Sequence, residues 1–522
     1  PAPGPSPSPA PTPSPAPGPT PAGPAVSTRF GVVVGNAYAG GSEFLGIPFA
    51  QPPVGALRWK PPVDPVPWTT PRPAQSFGPA CPQMAFAQGQ TTGTLEGDED
   101  CLQLNVWTPQ TATSSLPVLV FIHGGGHTQG SAGETRAGTR MYDGRHLAAR
   151  GPAVVVTLQY RLGPLGYLVY PGLDAESPTG KSGNYGVLDE IQALHWVHDN
   201  IAAFGGDPAK VMVFGQSAGG VDTANLLTTT RAAGLFQRAA VESAPPVLGA
   251  YADVEAKGQA FVDGLVASGT PAQKVAALRA MDWRVLVGGE TPPVDGGAVT
   301  MAWQPVIDGD VFTGTPSAVF ASGRYNHVPL LIGSNADEMS LSSPPIVTPA
   351  MVSALAVATV PAGFVSQALA LYPPGSNDAQ ARQSYVQLLT DAQFTSTVRR
   401  AARAVAASQA EPVRRYFVSY RQAPPLDAYG SYHGIELFYV FNTWEDTANS
   451  FTADDAAMQR LMMGYWVNFA NTGDPNGSGL VDWPVLGGSA DCYLDISATP
   501  DGSRCGLRTA QSDFWDAVAG VP

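Results

Sequence analysis

The 522-residue chain has no run of apolar residues long enough to cross a bilayer. Positive charge is also scarce. Lys and Arg number 28 against 42 Asp and Glu, a net charge of −14. Nucleic acid is thereby excluded as a partner, because it demands a basic footprint. Cysteine is rarer still, with Cys81, Cys101, Cys492 and Cys505 alone. They show no CxxC spacing and have no histidine cluster beside them, so no metal site is expected. They fall instead into two sequence-local pairs. Two disulfides are the simpler reading and imply an oxidising compartment. Closing a loop of the size 81–101 stabilises a fold by about 3 kcal/mol. Four free buried thiols are the alternative.

Residues 1–24, PAPGPSPSPAPTPSPAPGPTPAGP, offer nothing to pack. They read as a disordered, semi-rigid linker. Such a segment is either a tether that suits an exported protein (secreted, periplasmic or held at the cell surface) or a dispensable tail. The chain opens on Pro1 with no visible signal peptide, which reads as a mature or trimmed chain. Residues 25–522 are read as the folded domain. At 44% hydrophobic and 13% charged residues, the sequence can fill a large core.

Four short β-branched runs stand out: PVLVFIH (117–123), AVVVTLQY (153–160), KVMVF (210–214) and VPLLIG (328–333). They are continuous rather than alternating, as strands buried on both faces are. Between them, YGVLDEIQALHWVHDNIAAF (185–204) carries an apolar stripe at Leu188, Ile191, Leu194, Trp196 and Val197. Strands alternating with helices indicate an α/β fold.

The KVMVF strand runs into Gly215-Gln216-Ser217-Ala218-Gly219. A GxSxG match alone is weak. At a strand-to-helix junction it gains meaning, because two glycines permit the sharp turn that exposes a nucleophilic serine. A hydroxyl needs a base, and in this arrangement the order is Ser, acid, His. Only His327 and His433 follow Ser217. His327 precedes the VPLLIG strand and leaves no room for an acid. His433, in the loop GSYHGIELFYVF, is the expected base. Asp337 and Glu338, just after that strand, are both candidates for the acid, and spacing does not choose between them. The oxyanion hole is expected from His123-Gly124-Gly125-Gly126 after PVLVFI, joined by the N–H of Ala218.

These motifs, together with FLGIPFAQPPVGALRW (44–59), EDCLQLNVWTP (99–109), YRLGPLGYL (160–168), GSNADE (333–338) and NFANTGDPN (468–476), resemble the type-B carboxylesterases. The resemblance covers the chain from about Ala25 onward. It implies an α/β-hydrolase fold: a central, mostly parallel sheet flanked by helices, with helical insertions forming a gorge or lid. It implies a Ser217-His433-Glu338 triad, with oxyanion donors at Gly125, Gly126 and Ala218. The Cys81–Cys101 pair matches a family disulfide, whereas Cys492–Cys505 rests on proximity. The implied reaction is hydrolysis of a small-molecule carboxylic ester through an acyl-enzyme, with no cofactor.

Three departures bear on the pocket. Gln216 stands where the family usually has Glu, which removes a charge attractive to cations. His127 stands where an aromatic usually follows HGGG, and would reshape the acyl pocket or sit at the surface. The first disulfide loop, 82–100, has Phe86 as its sole large aromatic, where cholinesterases carry a choline-binding Trp. A choline ester is therefore not the expected substrate. The segment 339–430, between acid and base, is the expected site of a lid or gorge wall. A specialised esterase for a bulky natural product, aromatic diester or polyester is the close alternative. A lipase and a catalytically silent adhesion homologue are further ones. The Asn476-Gly-Ser triplet is a glycosylation signal only in a host that glycosylates.

Overall fold

All four runs read as strands enter one sheet of eleven strands. The computed structural model describes residues 22–87, 90–110, 115–292, 294–295, 298–299, 301–487, 490–499 and 502–521. The expected linker therefore lies almost wholly outside the described residues. Its last residues already join the fold, since Gly35 N donates to Pro24 O and Gln75 Nε2 to Ala22 O, each at 2.9 Å.

In chain order the strands are β1 (Asn36–Tyr38), β2 (Gly41–Pro48), β3 (Gln103–Pro109), β4 (Leu116–Ile122), β5 (Val154–Leu158), β6 (Gly206–Gln216), β7 (Arg238–Glu242), β8 (Leu330–Asn335), β9 (Val413–Val418), β10 (Cys492–Ile496) and β11 (Ser503–Cys505). Their spatial order is β11-β10-β9-β8-β7-β6-β4-β5-β3-β2-β1. From β10 to β5 every pairing is parallel. Both edges are antiparallel, a feature the sequence reading did not contain.

The continuous apolar runs are explained by burial on both faces. Val118, Val120, Ile122, Val154 and Val156 pack into one core, and Leu119, Phe121, Val155 and Phe214 into the other. Each such side chain contributes roughly 1.5–3 kcal/mol when removed from water. The helical stripe forms α1 (Tyr185–Asn200), followed by a 3₁₀ turn at Ile201–Phe204. Downstream come α2 (Ala218–Leu226), α3 (Pro349–Thr359), α4 (Asp378–Thr390), α5 (Ser396–Ser408), α6 (Ile435–Val440) and α7 (Ala453–Thr472).

The segment 339–430 is only partly the expected cover. It supplies α3, α4 and α5, but it also contains the central strand β9. Between α4 and α5 the chain widens into a π-helical turn, Asp391–Thr395. That turn carries Phe394, whose ring lies 5.1 Å from the His433 ring. The insertion thus reaches the expected base. Both cysteine pairs are disulfides, Cys81–Cys101 and Cys492–Cys505. The Asn476 side chain is engaged at both ends by Trp483, accepting from its N at 2.7 Å and donating to its O at 3.2 Å. No helix among the described residues is long and apolar enough to cross a membrane.

Candidate active site

Parallel register brings the carboxyl ends of β4, β6, β7 and β8 to one level. Gly215 is opposite Ile122 and Val241, Gln216 is opposite Glu242, and Glu242 is opposite Gly333. The loops leaving these strands hold Gly124 to Gly126, Ser217 and Glu338.

Ser217 sits between β6 and α2 with φ 58° and ψ −125°. For a residue with a side chain this is a strained conformation, costing on the order of 1–3 kcal/mol. The flanking glycines make it possible. A Cβ at Gly215 would lie 2.3 Å from Gly219 O, and one at Gly219 would lie 2.1 Å from Ile122 O. The turn is fixed by Ser217 N donating to Glu242 O at 3.0 Å. Ala218 opens α2, so its N–H is one of the helix's unpaired first donors.

The glycine loop lies against this elbow. A Cβ at Gly124 would come 3.0 Å from Ser217 Cβ. Gly125 (φ 115°) and Gly126 (φ 66°) turn the chain back, and Gly125 O accepts from Thr128 N and Gln129 N. Among the described residues, no backbone carbonyl outside the helices and strands accepts from the N–H of Gly125, Gly126 or Ala218.

His433 precedes α6. Its Nδ1 lies 2.6 Å from Glu338 Oε2, and its backbone N donates to Glu338 O at 3.2 Å. Glu338 is fully buried, and its other oxygen accepts from Asn335 N at 2.7 Å. Asp337 turns away and accepts from Ser431 N and Arg421 Nη2. Of the two acid candidates, Glu338 and not Asp337 meets the imidazole. His327 is spent on its own turn, with Nε2 2.9 Å from Gly323 O.

Burial opposes charging of His433, but the Glu338 hydrogen bond and charge, with Glu436 behind, hold it above the ordinary imidazole value. A neutral imidazole whose Nδ1–H faces a carboxylate carries its lone pair on Nε2. Here Nε2 lies 3.1 Å from Gln216 Nε2, so the amide donates to that lone pair. Gln216 is therefore a direct neighbour of His433.

The other two pocket expectations change. His127 is fully buried, with Nε2 2.8 Å from Asp222 Oδ2 and its ring 5.0 Å from Tyr167. It neither lines an open pocket nor lies at the surface, because a buried carboxylate draws the ring inward. Phe86 is buried within its own loop, where a Cβ at Gly93 would meet the ring at 2.9 Å. Its backbone N donates to Gln129 Oε1 at 2.7 Å, which ties the first disulfide loop to the glycine loop. Gln83 doubles this tie, exchanging bonds with Gly130 N and O at 2.8 and 2.9 Å.

Sequence reasoning missed the carboxyls behind the triad. Glu436 accepts from Asn335 Nδ2 at 2.5 Å and from Ser243 Oγ at 3.4 Å. Burial, then the Glu338 charge, raises its carboxyl to about 7. Glu242 accepts from Trp466 Nε1 on α7 at 2.6 Å. A signal existed for each, since Glu436 follows His433 by one helical turn and Glu242 ends an otherwise apolar strand. In the surface group of His146, Glu445 and Asp446, which could hold a metal, the Glu445 carboxylate already pairs with Arg150.

Residues 22–515 match the model of the carboxylesterase family. The fumonisin B1 esterase of Sphingopyxis macrogoltabida is 34% identical over 84% of this chain and 81% of its own. The para-nitrobenzyl esterase of Bacillus subtilis (strain 168) is 33% identical over 88% of this chain and 92% of its own. A solved PNB esterase structure superposes with a TM-score of 0.80 at 29% identity, covering 94% of this chain and 99% of that one. Strand order, elbow and family match agree: the chain belongs to the carboxylesterase family, has the α/β-hydrolase fold, and is a carboxylic ester hydrolase.

Proposed function

We propose that Ser217 is the nucleophile of this esterase, His433 its general base and Glu338 the acid that steadies the imidazolium. The observation that carries this reading is the 2.6 Å contact between His433 Nδ1 and buried Glu338, beside a serine held in a strained elbow. On substrate binding the serine hydroxyl replaces the Gln216 amide at Nε2, as catalytic hydrogen bonds tighten in the Michaelis complex. Ser217 Oγ attacks the carbonyl carbon and His433 takes its proton. The oxyanion is received by the N–H groups of Gly125, Gly126 and Ala218. The C–O bond to the alcohol breaks as His433 returns the proton to the leaving oxygen. Water then repeats the sequence on the acyl-enzyme and releases the acid.

Two disulfides favour an exported enzyme, and the segment 1–24 favours a tethered one. A specialised esterase for a bulky natural product, an aromatic diester or a polyester is the second reading, favoured by the likeness to a fumonisin B1 esterase. Both readings are tested on one panel. It spans acetyl to long fatty esters, aromatic diesters, acylcholines and fumonisin B1, hydrolysed by the wild-type chain and by Ser217→Ala. Broad activity lost in the variant supports the general enzyme. Activity confined to fumonisin B1 or the diesters supports the specialist. Full activity in Ser217→Ala would reject the nucleophile.

A further inference from the structure

Behind the glycine loop lies a cluster of ionisable side chains that the triad does not use. His127, Asp222 and Glu190 are each fully buried. They come from three places: the loop after β4, the helix α2 and the helix α1. His127 Nε2 meets Asp222 Oδ2 at 2.8 Å. Asp222 Oδ1 and both Glu190 oxygens meet no N–H or O–H donor among the described residues. Two buried carboxyls side by side cannot both ionise, and one shared proton satisfies both. Burial, reinforced by the Asp222 charge and hydrogen bond, pushes the Glu190 carboxyl well above its ordinary range. The protonated form of Glu190 is thereby favoured beside Asp222.

The position of this pair matters more than its chemistry. His127 directly follows Gly126 with φ 60°, and its carbonyl accepts from Gly163 N at 2.6 Å. Asp222 lies one helical turn beyond Ala218 on α2. The pair thus bridges the loop that carries two oxyanion donors and the helix that carries the third. We propose that the buried His127–Asp222 pair is a strut that keeps the two halves of the oxyanion hole in register. His127 and Asp222 are then positioning residues for the tetrahedral intermediate. This rests on the assignment of the oxyanion donors given above. An aromatic at 127, usual in the family, would leave Asp222 Oδ2 without this partner.

The test compares the wild-type chain with Asp222→Ala, Asp222→Asn and His127→Ala on a p-nitrophenyl ester of a short acid. Endpoint labelling by an organophosphate counts active sites, so that rates refer to folded enzyme. Asp222→Ala should lower kcat on the order of 10- to 100-fold, the scale of a small misplacement at a reacting centre, with KM little changed. A trifluoromethyl ketone, which forms a tetrahedral oxyanion on the serine, should weaken by the same factor. Asp222→Asn keeps an oxygen for the His127 N–H and should recover most of the loss. If Asp222→Ala yields no folded protein, His127→Ala makes the same comparison and should show the same split between kcat and KM. Unchanged kcat and ketone affinity in these variants would overturn the strut. An Asn variant as slow as the Ala variant would overturn it too. Ser217→Ala separates the two readings. If it stays active, the nucleophile falls, and with it the oxyanion site built around it. If it is dead while Asp222→Ala turns over normally, only the strut falls.

Discussion

At the scale of single residues, one contact decides how the base behaves. The Gln216 amide donates to the Nε2 lone pair of His433, which favours the neutral imidazole. A carboxylate there would favour the imidazolium instead. Gln216→Glu should therefore raise the acidic limb of the kcat/KM–pH profile by about one unit, the effect of a nearby opposite charge. A limb that stays in place would show that the amide leaves the base in solution. The partner on the other side is less forgiving. Glu338→Gln keeps the shape but disrupts the tautomer and removes the charge, and kcat should fall by about 10³–10⁴ with KM little changed. Steady-state kinetics on one chromogenic ester reads both.

At the scale of elements, the glycine loop has no slack. A Cβ at Gly125 would lie 1.9 Å from Gln129 O, at φ 115°. Gly125→Ala must displace the loop and with it a donor, so kcat should drop by about 10²–10³. Secondary structure measured by circular dichroism should not change. How much was legible in the sequence follows from the same local physics. Strands β4, β5, β6 and β8 were readable because both faces are apolar. Strand β9 was not, because Arg414 and Arg415 interrupt VRRYFV, yet both are buried. Arg415 is neutralised by Asp491, which also meets Arg399 on α5 at 2.7 Å, and such partners lie far off in sequence. The antiparallel edges were invisible for a similar reason, since pairing direction is not written in a strand's composition. Within the site, the serine, the histidine and the glycine loop could be ordered from spacing. The choice of Glu338 over Asp337 needed the family resemblance or the coordinates. The inward turn of His127 depended on Asp222, ninety-five positions away.

At the scale of the whole molecule, buried carboxyls set how stability follows pH. Glu436 is raised from 4.5 to about 7, and burial raises Glu242 as well. Between those values the native chain holds protons that the unfolded chain has released. This stabilisation is full below about 4.5 and fades as pH rises through about 7. Glu436→Gln removes the titration, so the decline of Tm between about pH 5 and pH 8 should flatten in a thermal melt series. An unchanged slope would assign the effect elsewhere. The first disulfide loop has a different reach. Gln83 and the Phe86 backbone fasten it to Gln129 and Gly130, beside the proposed oxyanion donors. A reductant that opens Cys81–Cys101 therefore loosens the chemistry before it loosens the fold. Under dithiothreitol, well below the melting temperature, ester turnover should decline while circular dichroism holds. The enzyme would then act as a gauge of redox poise, running at full rate in oxidising surroundings and throttled in a thiol-rich cytosol.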